Sequence, residues 1–148
     1  MSVQTTYPDT PAVGYNGMLA QQFSLRQVDS GLVETGPTVL GQAVSPGTAD
    51  GQYINAVADG VVSGVAIYQG ASEFPSLQYE DKEAFPVLSK GRYWATANGA
   101  LAINAAIAYD PATFKVGAVV GTVTTLAFGK AITSSAADGD LIIVEVDF

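Results

Sequence analysis

The chain reads as an all-β protein, a small curved β-barrel or sandwich with an extended N-terminal arm. Three observations predict it. Apolar residues recur with period two: in the last run Ile142, Val144, Val146 and Phe148 share one parity while Glu145 and Asp147 take the other. Such short runs are separated by turn-forming residues throughout the C-terminal two-thirds, the pattern of a sandwich or barrel. Finally, Gly-x-Ala-Val/Ile occurs three times, at Gly41–Val44, Gly64–Ile67 and Gly129–Ile132. Glycine inside a strand marks a bulge, a bend or a close backbone approach, so three copies suit a strongly curved sheet. Their unequal spacing excludes a repeat architecture.

Composition limits size and partners. With 148 residues, 48% of them hydrophobic, the chain is long enough for one well-filled core and short for two domains. Only 14% of residues are charged, so the surface is unusually neutral and suits contact with other proteins. The net charge of −8 argues against nucleic acid, which needs clustered cations. Acids predominate up to Asp81, where Arg26 is the only base, whereas Lys82, Lys90, Arg92, Lys115 and Lys130 follow. Such an asymmetry fits pairing across a subunit or partner interface. The segment MSVQTTYPDT lacks the basic and apolar regions of a signal peptide, and no apolar run approaches the length of a membrane helix; neither a membrane partner nor export is expected.

In chain order, residues 1–36 form the expected arm. Pro8, Pro11 and Gly14, Gly17, Gly31 and Gly36 interrupt any periodicity, yet Tyr7, Val13, Tyr15, Met18, Leu19, Phe23 and Leu25 are too many for a disordered tail. The arm is expected to lie along its own domain or, in preference, a neighbour, with a short strand over 21–28. Residues 37–148 form the β domain. Thr38–Val44 reads as its first strand, 48–59 as a polar connection anchored by Tyr53 and Ile54, and Gly60–Gln69 as the second strand. The stretch 70–84 reads as a loop whose Glu80-Asp81-Lys82-Glu83 cluster lacks the ligand spacing of a calcium loop. Phe85–Ala97 reads as two strands joined at Ser89-Lys90-Gly91, with Tyr93 and Trp94 on opposite faces. A strand is expected over 100–109, ended by Asp110-Pro111, and another within 114–125. The end comprises runs 126–133 and 141–148, joined by an Asp138-Gly139-Asp140 turn.

Chemistry is sparse. Without histidine or cysteine the usual base for a serine nucleophile, the usual zinc ligands, thiol mechanisms and disulfides are missing. No nucleotide motif occurs. No enzyme, cofactor or metal site is expected; a hydrolase would have to rely on unmarked carboxylates.

The order of several segments carries more. Pro11–Ala20 (PAVGYNGMLA), Ser63–Tyr68 (SGVAIY), Pro86–Ala95 (PVLSKGRYWA), the Tyr109-Asp110-Pro111 turn, and Gly129–Ile132 followed by Ala136–Leu141 (AADGDL) are spaced along most of the chain. In these segments, over roughly residues 10–148, the sequence resembles the head decoration or structural cement proteins of tailed bacteriophages. The resemblance implies a β-rich protein made in the host cytoplasm and placed on the capsid exterior, where it clamps major capsid protein subunits. It also implies contact with other copies of itself; members of such families form trimers or dimers, and a trimer is the favoured expectation here with a dimer as the alternative. The charged 80–83 excursion and the aromatic-rich arm depart from the usual pattern. On this reading Tyr7, Tyr15, Met18, Phe23 and Arg26 are the expected arm contacts and Lys90 and Arg92 the rim contacts, since extended arms bury much surface for few residues. The alternative is a carbohydrate- or receptor-binding β module on a virion surface, with Trp94, Tyr93 or Tyr68 as its platform.

Overall fold

A computed structural model describes residues 16–20, 26–57, 60–68, 78–119 and 126–148. Among the described residues there are eleven strands and no helix: β1 (Gln27–Thr35), β2 (Thr38–Val39), β3 (Ala43–Pro46), β4 (Gln52–Asn55), β5 (Gly64–Ala66), β6 (Gln78–Tyr79), β7 (Ala84–Thr96), β8 (Ala106–Asp110), β9 (Lys115–Ala118), β10 (Leu126–Ala131) and β11 (Leu141–Asp147). Nine lie in one mixed sheet ordered β1-β4-β3-β5-β7-β11-β10-β8-β9, and β2 pairs with β6 apart from it. The sheet curls until β1 also pairs with β7, closing a ring through β1, β4, β3, β5 and β7. In the second half β9 returns to the end of β7, where Ala97 bridges Val116.

β7 is the common member, and its neighbours follow one another along both edges. On one edge β1 pairs with its first half and β11 with its second. On the other, β5 pairs with Val87 and Leu88, and residues 17–20 take the remainder through bonds from Gly17 N–H to the Trp94 carbonyl (2.8 Å) and from Trp94 N–H to the Met18 carbonyl (2.8 Å). The core divides accordingly. Val33, Val44, Ala66, Phe85 and Val87 fill the ring with Tyr53 and Tyr79 packed against them. The larger cluster, including Val65, Leu88, Tyr93, Ile107, Tyr109, Phe128, Ile142 and Val144, lies between the opposite face of β5 and β7 and the second half. Burial of each Val, Leu, Ile or Phe side chain here contributes about 1.5–3 kcal/mol, and β5 and β7, apolar on both faces, contribute to both clusters.

Several expectations are corrected by this pairing. The sheet takes in residues assigned to the arm: Gln27–Thr35 is β1, with Val33 fully buried. Its periodicity is hidden by Gly31, where a side chain would meet the Tyr53 ring at 2.5 Å. Residues 85–97 are one strand and not two. Ser89-Lys90-Gly91 forms a bulge, opposite which the β1 register slips between Gln27 and Val28, and Gly91 adopts φ 137°. Thr38–Val44 is broken at Leu40–Gly41, the connection over 48–59 contains β4, and of 100–109 only the stretch from Ala106 is strand, because Asn104 turns with φ 64° and Ile103 is exposed. Of the expected 70–84 loop, residues 70–77 lie outside the described residues, as do Tyr7, Tyr15 and Phe23 of the arm.

The three Gly-x-Ala copies serve three purposes. Gly41 lies in a turn at φ 82° beneath the Asn16 amide, Gly64 meets the Val87 side chain, and Gly129 faces the Glu145 carbonyl of β11 beside a bulge in the β10–β8 register. A methyl at Gly129 has only backbone to displace. Gly129→Ala is therefore expected to cost about 3 kcal/mol, read as a lower urea midpoint, and Gly64→Ala a comparable amount, because its methyl meets the Leu88 carbonyl at 2.9 Å as well as the buried Val87 side chain.

Candidate interaction surface

The outward face of the second half collects the notable side chains. Alternation along β7 sends Tyr93 and Ala95 inward and Arg92 and Trp94 outward. Register then extends this row across the sheet. Trp94 stands opposite Ile143 of β11 and, through the backbone bonds to residues 17–20, beside Met18, which in turn bridges Tyr68. Tyr68, Met18 and Trp94 are half-buried and Ile143 is 9% exposed. In-register neighbours of this kind stand within about 5.5 Å of one another at Cβ, so the four form a continuous apolar row across four adjacent segments.

A charged row runs beside it. Arg92 Nε donates to Glu145 Oε2 at 2.8 Å, Lys130 Nζ lies 3.5 Å from Glu145 Oε1, and Lys90 Nζ lies 3.5 Å from Asp147 Oδ2. Each pair follows from strand register, Arg92 and Lys130 flanking Glu145 and Lys90 facing Asp147. Three cations against two carboxylates leave this face one positive charge in excess, on a chain of net charge −8. The Arg92 hydrogen bond, more than the Lys130 charge, holds the Glu145 carboxyl below the usual carboxylate range.

The cations of the basic middle have partners within the chain. Lys90, Arg92, Lys115 and Lys130 pair with Asp147, Glu145 and Asp138, all near the C-terminus, and Lys82 Nζ donates to the Glu34 carbonyl at 3.3 Å. The basic middle is thus engaged within its own chain, and with the late acids more than the early ones. Many of the other acids hold backbone: Asp81 accepts from Gly36 N–H, Glu83 from Glu80 N–H, Asp140 from Ala136 and Ala137 N–H. The 80–83 cluster is accordingly a turn clamped to the end of β1, and Asp138-Gly139-Asp140 is a turn closed against Ala97. Among the described residues no group of acids is arranged to hold a metal ion. The phenols of Tyr93 and Tyr109 are pushed up by burial and stay neutral within the core.

Of the residues named from sequence, Met18, Arg26, Lys90 and Arg92 all fall along one stretch of β7. Arg26 is exposed and its backbone passes over Gly91. Lys90 sits where β1 gives way to β11. Residues 17–20 lie against their own domain, with Leu19 packed on the core beside Tyr93. Sequence reasoning left out Lys130, Ile143, Glu145 and Asp147; the outward parity of the last two was a usable signal, but their cationic partners lie on other strands.

The profile of the structural cement protein family (E217 gp24/Pam3 gp6) matches residues 3–147. The chain belongs to that family of phage structural proteins. Its role is capsid-associated and structural, and the virion is its setting. No curated protein matches the sequence. Among solved structures, a chain of the capsid of Myoviridae phage XM1 shares the fold at TM-score 0.70 and 14% identity, over 99% of this chain and 98% of that one. The N base of head fiber gp8.5 of bacteriophage phi29 is similar at TM-score 0.54 and 9% identity, over 83% and 95%.

Acid should test the charged row of this cement protein. A carboxyl held low in the folded state contributes stability above its ordinary pKa and loses it as pH falls through the lowered value. Glu145→Gln is expected to cost about 0.2–1 kcal/mol at pH 7 and to give a shallower loss of stability on acidification than the parent, measured by urea denaturation at stepped pH.

Proposed function

We propose that this cement protein binds the outside of a phage head and stabilises contacts between major capsid subunits. The observation that carries this reading is the family match over residues 3–147. The face built by Tyr68, Met18, Trp94 and Ile143 is the contact surface best suited to it, since Trp, Tyr, Met and Arg are the residues enriched where interfaces concentrate their energy. Its charges are already paired, so covering them costs less than burying lone ions. Each contact can be modest, because many copies act on one lattice. The arm adds contacts of its own through Tyr7, Tyr15, Phe23 and Arg26, and the copies attach as small oligomers.

Expanded shells of the parent phage, mixed with the protein and sedimented, test this directly. The protein is expected in the pellet, and decorated shells are expected to withstand higher temperature than bare ones; protein left in the supernatant overturns the reading. Trp94→Ala is expected to weaken attachment at least about tenfold, a loss of about 1.4 kcal/mol, with the β fold retained by circular dichroism. Should Trp94→Ala instead abolish glycan binding and leave shells decorated, the surface is a carbohydrate platform. Removing residues 1–15, which spares β1, is expected to weaken attachment while the melting temperature stays near that of the parent; undiminished decoration removes Tyr7 and Tyr15 from the interface.

A further inference from the structure

β1 is paired unevenly along its two edges. One edge meets β7 from Gln27 to Leu32, whereas the other meets β4 only from Leu32 to Thr35. Hydrogen bonds establish which residues face which way. Val33 N–H donates to the Glu83 carbonyl on the β7 side (3.0 Å), and Leu32 N–H donates to the Gly51 carbonyl on the β4 side (2.9 Å). Backbone groups alternate along a strand, so Val28 and Ser30 aim N–H and C=O to the same side as Leu32, beyond the point where β4 stops. Among the described residues no strand lies alongside them. Gln27, Asp29 and Ser30 are exposed. Two donors and two acceptors are therefore presented on an open edge. A shallow hollow spans β1 and β7 behind this edge, lined by Val28, Asp29, Ser30, Ala84, Phe85 and Pro86.

The geometry points to a strand-addition site at Val28–Ser30 that takes an extended segment of the major capsid subunit. This rests on the proposed function. The unpaired ladder groups call for an extended backbone, because only a strand meets both residues at once. Charge selects whose backbone it is. In an antiparallel two-fold pairing of two copies, the register that uses Val28 and Ser30 of both sets Asp29 against Asp29 of the second copy, and like charges directly opposite are unfavourable. Each copy also carries −8. A foreign strand with a neutral or cationic residue opposite Asp29 meets no such penalty. An open edge blunted by charge against its own kind is also how natural sheets avoid self-association.

Ser30→Pro removes the outward donor while sparing the internal ladder, since Ser30 faces Pro86 across β1 and β7 without a mutual bond. Parent and variant are compared by co-sedimentation with expanded shells, by circular dichroism, and by hydrogen exchange over residues 26–32 of the parent, free and shell-bound. Expected are at least tenfold weaker attachment of a folded variant and slower exchange of 26–32 in the bound parent. The exchange result stands even if the variant fails to fold. Equal attachment of a folded variant, or unchanged exchange in the bound parent, overturns the edge site and leaves shell binding intact. Loss of self-association with attachment unaltered also overturns it and assigns the edge to a second copy. A parent that ignores shells overturns both this site and the proposed function.

Discussion

Both edges of β7 are hydrogen-bonded along most of its thirteen residues, and the rest of the molecule is arranged by that constraint. A strand with partners on both sides can be apolar on both faces, because its backbone is satisfied without water. β7 uses this freedom in two ways. Phe85 and Val87 point into the ring, while Leu88, Tyr93 and Ala95 belong to the larger cluster. The bulge at Ser89–Gly91 is where allegiance changes from one cluster to the other. It shifts the register by one residue, and one residue is enough to exchange the two faces of a strand.

The surface follows from the same arrangement. With the interior taking so much of the chain, few charged residues remain, and most of those described are held locally. Glu34 accepts from Thr48, chiefly through its hydroxyl, which draws the Glu34 carboxyl down. Asp110 accepts from Ala112 N–H and the Thr113 hydroxyl and so closes the β8–β9 turn. Exposed ion pairs contribute only about 0–1 kcal/mol each, well below the burial terms, so these charges do little to hold the fold. Their effect is to leave a face that is polar in composition, nearly neutral in sum and already paired. Such a face suits a protein of the cement family, with its capsid-associated structural role.

Residues 17–20 connect the fold to the candidate surface. They complete the free edge of β7 beyond β5, place Leu19 inside and leave Met18 outside between Tyr68 and Trp94. The apolar row therefore depends on a segment that has no strand periodicity of its own. Asn16 begins it: its side-chain amide donates to the Leu40 carbonyl at 3.0 Å and occupies the space above Gly41.

Local alternation and turn chemistry were legible in the sequence, and they sufficed for the all-β class, for the buried parity of Ile142, Val144 and Val146, for the Asp138-Gly139-Asp140 turn, and for one inward ring of the Tyr93-Trp94 pair. These features depend on neighbours within a few residues. Strand partners do not. Ser-Lys-Gly reads equally as a hairpin turn or as a bulge, since both need a glycine with an unusual φ, and the choice was made by Gln27 and Asp147, which pair with Lys90 from distant parts of the chain. Gly31 hid a strand because the packing it permits belongs to Tyr53. Arg92 was legible as a cation, but its bond to Glu145, and the row in which Met18, Trp94 and Ile143 stand together, exist only once four segments are in register. Sequence determined which residues alternate; the tertiary structure alone decided which edges meet, because an edge is satisfied by any backbone and the one that arrives is selected by packing.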